Sequence, residues 1–256
     1  MRRGLVKRQM KGRQPTVSET PRVAVLAFGA HPDDIELGAG GLLALAAARG
    51  QGAAAIDLTA GEGASRGTVE ARRLEAAESA QILGLAAREN WGWPDLHLTD
   101  TLDYRRQVAD AVRRYRPDLV LCPAPRDRHP DHSAASAVVT AGAFWARMVR
   151  IETSHAPHSP RAVAYYVMHE LVEPSFVVDI SSTWDQKRRA VAAYRSQFDQ
   201  PVPEGYRFIG TSDYHAAAAA RAGYWGQTIG TAQGEAYVLA STLRVDDPVE
   251  LLRAPG

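Results

Sequence analysis

Residues 22–34 read RVAVLAFGAHPDD, an apolar run that stops at Gly29 and then delivers one histidine and two aspartates. Val23, Val25, Leu26 and Phe28 give the run the character of a buried strand, and Gly29 opens the loop that ends it. Working outward, the Ala- and Leu-rich stretch 38–49 predicts a helix that closes at Gly50, before a second apolar run over 53–58. A strand, a helix and a strand joined by short loops imply a parallel pair with a right-handed crossover. The alternation continues with helices over 68–83 and 103–115, a third strand over 118–122 and a long helix from beyond Pro130 to about Arg150. Strand-like runs follow at 163–168 and 176–180, then a helix over 183–197. Glycines at 205, 210, 223, 226, 230 and 234 punctuate the remainder, which holds a helical 216–222 and a closing strand over 237–243. This order predicts an α/β fold with a mainly parallel sheet flanked by helices, as a single domain over residues 22–256.

Residues 1–21 lack a long apolar run and are rich in Arg, Lys, Gln and Ser, so they are expected to be a disordered basic leader. An apolar share of 45% suits a compact core, and a net charge of +1 gives no reason to expect a nucleic acid or a membrane surface as partner. No segment reaches the roughly 20 apolar residues that span a bilayer. The single Cys122 cannot form an internal disulfide, which agrees with a reducing cytoplasm.

The chemistry concentrates in two loops. Ala30-His31-Pro32-Asp33-Asp34 follows the first strand, and Arg126-Asp127-Arg128-His129-Pro130-Asp131-His132 follows the strand over 118–122. Both lie at carboxyl ends, which in an open parallel sheet line one crevice. His31 with Asp34 and His129 with His132 are each three residues apart, a spacing that turns two side chains toward one ion at a tight turn or first helical turn. Imidazole and carboxylate together suit zinc, and a catalytic zinc takes three protein ligands and keeps one position open. With His31, Asp34 and His132 as ligands, Asp33 is the spare carboxylate placed to take a proton from the metal's water, as general base. His129 is then the cation that stabilises the oxyanion of a tetrahedral intermediate, and Asp131 orients a neighbouring group from behind. The competing reading makes the His-Pro and Asp-Asp pairs turn formers and Asp33 a helix cap. His97, His155, His158, His169 and His215 lack such company and read as surface or satisfied histidines, with His169 set apart because it follows a strand. A phosphate-binding loop is disfavoured, because Gly29 is followed by carboxylates that repel a pyrophosphate.

A strand leading into AHPDD with a later RHPDH resembles the LmbE-like (PIG-L) family of zinc deacetylases, over about Arg22 to Leu252. The stretches AFGAHPDDIELGAGG (27–41), GTVEARRLEAAESAQILG (67–84) and AYRSQF (193–198) are most similar to the bacillithiol-pathway branch that acts on N-acetylglucosaminyl malate. The resemblance implies a Rossmann-like fold, Zn2+ as cofactor, hydrolysis of the acetamide of an N-acetylglucosamine conjugate, and a homo-oligomer, a hexamer in relatives. It gives His31, Asp34, His132, Asp33 and His129 the roles already argued. It adds Arg72 and Arg128 as substrate contacts, a guanidinium fork being suited to a carboxylate such as malate. Asp95 is carried over as a binder of sugar hydroxyls, and Glu235 as part of the cavity wall. Tyr224 and Trp225 are candidates for a contact surface between subunits. Two departures, Pro94-Asp95-Leu96-His97 where relatives read Pro-Asp-Arg-Gly, and Met168-His169-Glu170-Leu171 in place of an Asn-Gly pair, bear on the group attached to the sugar.

Overall fold

The structure is a computed structural model and describes residues 20–170, 172–199 and 214–249. The leader expected over 1–21, apart from its last two residues, lies outside the described residues, as do Gly205, Gly210 and Leu171. In chain order the elements are β1 (Val25–Gly29), α1 (Asp34–Ala48), β2 (Ala53–Thr59), α2 (Val69–Leu83), β3 (Ala87–Trp93), α3 (Leu102–Tyr115) and β4 (Leu119–Pro123). They continue with α4 (Pro130–Ala146), β5 (Ala162–Tyr166), β6 (Phe176–Asp179), α5 (Trp184–Ala192), α6 (Arg195–Phe198), α7 (Tyr214–Thr228) and β7 (Gly234–Leu239). The strands form one sheet of seven in the order β3-β2-β1-β4-β5-β7-β6. β1 to β5 pair in parallel, while β7 runs antiparallel to both β5 and β6. This is the single-domain α/β architecture expected, with a mostly parallel sheet.

Period-2 alternation assigns each central strand two buried faces. Leu26 and Phe28 of β1 join Ile56, Val120 and Cys122 in a cluster covered by Val108 and Val112 of α3 and Val138 and Val139 of α4. Val25 and Ala27 join Ala55 and Leu121 on the opposite face, under Ile35 and Leu43 of α1 and Val191 of α5. Glycine lets α1 approach closely: a Cβ on Gly38 would overlap the ring of the fully buried Tyr166. Thr68 and Thr101 cap α2 and α3 by accepting from Ala71 N and Tyr104 N, and Gly84 ends α2 in the left-handed conformation.

The structure departs from the sequence reading at several elements. The chain over 87–93, ARENWGW, forms the edge strand β3, missed because only Trp93 is buried and the polar Arg88, Glu89 and Asn90 interrupt any apolar run. The helix begins at Asp34, ahead of its glycines, rather than at Gly38. The helix expected over 183–197 breaks after Ala192 into α5 and α6, and the closing strand is Gly234–Leu239. Tyr224 is exposed, whereas Trp225, expected beside it on a contact surface, is buried. Among the described residues no helix is long and apolar enough to cross a membrane.

Candidate metal centre

β1 and β4 lie side by side, with β2 and β3 beyond β1 and β5 beyond β4. The connections from their carboxyl ends therefore run to opposite sides and open a crevice between them, the switch point of a doubly wound sheet. Both loops close by the same local device. Asp34 N–H donates to His31 O at 3.3 Å, and His132 N–H donates to His129 O at 3.1 Å. The i, i+3 pairs of the sequence thus become neighbours on one side of each turn.

Asp34 lies between two imidazoles: its Oδ2 is 3.5 Å from His31 Nδ1, and its Oδ1 is 3.2 Å from His132 Nε2. Each ring is held from behind by another carboxylate. His31 Nε2 meets Asp95 Oδ1 at 3.0 Å and Asp131 Oδ2 at 3.5 Å, and His132 Nδ1 meets Asp127 Oδ1 at 2.9 Å. With the outer nitrogens committed as donors, the inner ones are the atoms a metal would take, the arrangement metal-binding histidines adopt. His129 completes the group, its ring centroid 4.6 Å from that of His31 and 4.9 Å from that of His132. One nitrogen from each of these three histidines lies within 4.8 Å of the other two, as does one ligand atom from each of Asp127, His132 and His169 and one from each of His31, Asp95 and Asp131. Two imidazoles and a carboxylate facing inward form a donor set suited to zinc.

The electrostatics follow from burial and pairing. Burial opposes ionisation of Asp34, but His132 and His31 outweigh it and hold its carboxyl well below the usual range. Burial also opposes the charge on His132, yet Asp34 and Asp127 raise it to about 9 in the metal-free protein, and contacts to Asp131, Asp34 and Asp95 lift His31 well above its ordinary value in the same way. Asp33 differs from its neighbour. Burial, with Asp34 adding to it, raises its pKa to about 7 against the pull of Arg72. Its backbone adopts φ 112°, a costly conformation for a non-glycine residue, and its side chain makes no cap hydrogen bond. Its Oδ2 instead lies 3.3 Å from Arg72 Nη2. The cap reading of Asp33 is thereby excluded.

Burial, then repulsion from His31 and His132, lowers the pKa of His129. Its Nδ1 accepts from Asp131 N–H at 3.2 Å, which places the ring proton on Nε2. Arg72 is buried, not on the solvated face of α2, where Arg73 pairs with Glu70. A Cβ on Gly61 would collide with its Nη1, so the close approach of that loop requires glycine. Arg128 is exposed. Both oxygens of Asp95 are engaged, Oδ1 by His31 and Leu96 N–H and Oδ2 by Gly63 N–H at 2.8 Å. Asp131 Oδ2 accepts Leu96 N–H at 2.8 Å.

Glu235 is not a wall of the crevice. It accepts Gly41 N–H and Leu42 N–H at 2.7 and 2.8 Å and pairs with buried Lys187 at 2.6 Å, clamping α1 to α5 and β7. His155 pairs with Asp110, His158 meets Pro117 O, and His97 and His215 are exposed, as surface or satisfied histidines are. His169 departs from that expectation: its Nδ1 is 3.0 Å from Asp127 Oδ2, inside the cluster. Asp127 and His169 were thus missed. Asp127 stood in plain view two residues before His129, and His169 was marked only by its place after a strand that neighbours β4.

The PIG-L family profile, described as GlcNAc-PI de-N-acetylase, matches residues 26–143. The diacetylchitobiose deacetylase of Thermococcus kodakarensis is 33% identical over 195 residues, covering 70% of this chain and 72% of that protein. The 4-oxalmesaconate hydratase of Pseudomonas putida is 29% identical over 202 residues, 70% of this chain and 75% of that one. The crystal structure of the conserved protein TT1542 from Thermus thermophilus is 40% identical, superposes with a TM-score of 0.78 and covers 87% of this chain and 97% of its own. The matched segment holds β1, β4 and both histidine loops, and the chain belongs to the PIG-L, or LmbE-like, deacetylase family.

Proposed function

We propose that this chain hydrolyses the acetamide of an N-acetylglucosamine conjugate to acetate and a free amine, with zinc held by His31, Asp34 and His132. The observation that carries the reading is the carboxylate of Asp34 between two imidazoles whose outer nitrogens are each tied to a further carboxylate. Zinc bound there supplies a Lewis acid for an acyl oxygen and acidifies water. Asp33, next in sequence to the ligand Asp34 and outside the ligand set, takes the proton of the attacking water as general base. His129 offers Nε2–H to the oxygen that becomes anionic. Asp95, Asp127 and Asp131 hold the histidine rings in place. Arg72 lies against Asp33, and it and Arg128 are the two guanidiniums assigned to substrate by the resemblance.

The finer reading takes malate as the group on the sugar, and so a step of bacillithiol biosynthesis. It is supported by the three resembling stretches and the two arginines. A second reading, an N-acetylated disaccharide, is favoured by the diacetylchitobiose deacetylase relative. The reading takes the cytoplasm as the compartment, in keeping with the single cysteine, Cys122, which is free and buried. A homo-oligomer, a hexamer by resemblance, belongs to the same reading.

Acetate release by zinc-loaded protein from N-acetylglucosaminyl malate, diacetylchitobiose and N-acetylglucosamine tests it. Faster release from the malate glycoside supports the finer reading, and preference for diacetylchitobiose replaces it. Hydration of 4-oxalmesaconate with no acetate from any amide overturns both.

A further inference from the structure

His169 has no role in the chemistry above, yet the sheet delivers it to the metal centre. β5 pairs in parallel with β4, Pro123 opposite Tyr166, so the chain leaving β5 runs beside the chain leaving β4. His169 arrives three residues past the end of β5, and its Nδ1 lies 3.0 Å from Asp127 Oδ2 and 3.2 Å from Oδ1. Its ring is within 11° of parallel to that of His132, with centroids 5.7 Å apart. The two other donors to Asp127, His129 N–H and His132 Nδ1, both sit on Oδ1 at 2.9 Å. Neither of those contacts engages Oδ2. His169 adds a third donor and reaches that second oxygen, so the carboxylate is tethered at both ends.

We propose that His169 is a positioning residue, which locks the Asp127 carboxylate so that Oδ1 stays on His132 Nδ1 and the inner Nε2 stays aimed at the metal position. Its partners are buried, the Asp127 side chain 3% and the His132 side chain 4% exposed, so the hydrogen bonds are shielded from competing water. Outer contacts of this kind are worth roughly 10- to 100-fold in metal affinity. The inference rests on the zinc reading but concerns affinity and ring orientation rather than turnover.

Two substitutions separate donor from ring. His169→Phe keeps an aromatic ring and loses the donor, while His169→Asn loses the ring and keeps an amide that can donate to Asp127. Zinc affinity is read by competition with a chromophoric chelator, and the Nδ1–H of His132 by imidazole NMR of the metal-free protein. The expected result is a loss of roughly tenfold or more in affinity for His169→Phe, with an exchange-broadened His132 Nδ1–H resonance, and near wild-type behaviour for His169→Asn. Affinity that follows the ring instead of the donor, or that stays within about twofold of wild type in both variants, overturns the assignment. Wild-type protein that binds no zinc overturns it together with the proposed function, whereas wild-type zinc binding with indifferent variants removes this inference alone.

Discussion

Replacing Asp33 with Asn should make the metal-free protein more stable and the loaded enzyme far slower. The pKa of Asp33 rises from 3.8 to about 7, chiefly because burial penalises its charge. At roughly 1.4 kcal/mol per tenfold in the acid constant, ionising it in the folded protein costs about 4 kcal/mol more than in the unfolded chain. For a carboxyl raised in this way, the contribution to stability is complete below pH 3.8 and is lost as pH climbs to about 7. Asn cannot ionise, so the variant escapes the loss. Urea unfolding of chelator-treated protein should show the two forms alike near pH 4 and the variant ahead by up to about 4 kcal/mol at pH 8. Zinc content should be unchanged, because Asp33 lies outside the proposed ligand set, while turnover falls by roughly 10²- to 10⁴-fold, the usual contribution of a general base. A variant less stable than wild type at pH 8, or one that turns over within about tenfold of it, refutes the reasoning.

Zinc uptake at pH 7 should release about two protons, because His31 and His132 are both held above neutrality and both must give up an inner proton to bind a metal. Calorimetry in buffers of different ionisation enthalpy counts them, and release of none contradicts the ligand assignment. Gly38→Ala should cost about 1–3 kcal/mol or more, because its Cβ would overlap the Tyr166 ring, whose hydroxyl is tied to Phe28 O at 2.8 Å. Denaturant melts read that loss, and a change below about 0.5 kcal/mol would mean the ring yields freely.

Local pattern made much of the protein legible. The apolar runs of β1, β2 and β4 separated by helical spacing gave the parallel core, since a strand buried on both faces leaves a run of apolar residues that needs no tertiary context to recognise. The edge strand β3 was hidden for the converse reason: Arg88, Glu89 and Asn90 satisfy a strand whose buried partners are charges. Arg88 reaches Glu36 of α1 and Asp57 of β2, a network no periodicity announces. Two of the stretches that resemble the family also dock on each other: Glu75 of α2 accepts from Ser196 N–H and Oγ–H, and Glu78 pairs with Arg195, which joins 67–84 to 193–198.

Sequence by itself determined which side chains could do chemistry. Two turns with histidine and aspartate at i, i+3, each after a buried strand, depend on backbone geometry of a few residues and on the rule that parallel strands open their carboxyl ends to one side. Only the tertiary structure decided the states and partners of those groups. The shared crevice raises Asp33 while lowering Asp34, its immediate neighbour, because burial and the charge of Asp34 outweigh the pull of Arg72 on the first, whereas the second sits between two imidazoles that outweigh its burial. It also brings His169 to Asp127 across 42 positions of sequence. Charge interactions depend on distance through space and on the water excluded between groups, and neither quantity is written in the order of the residues.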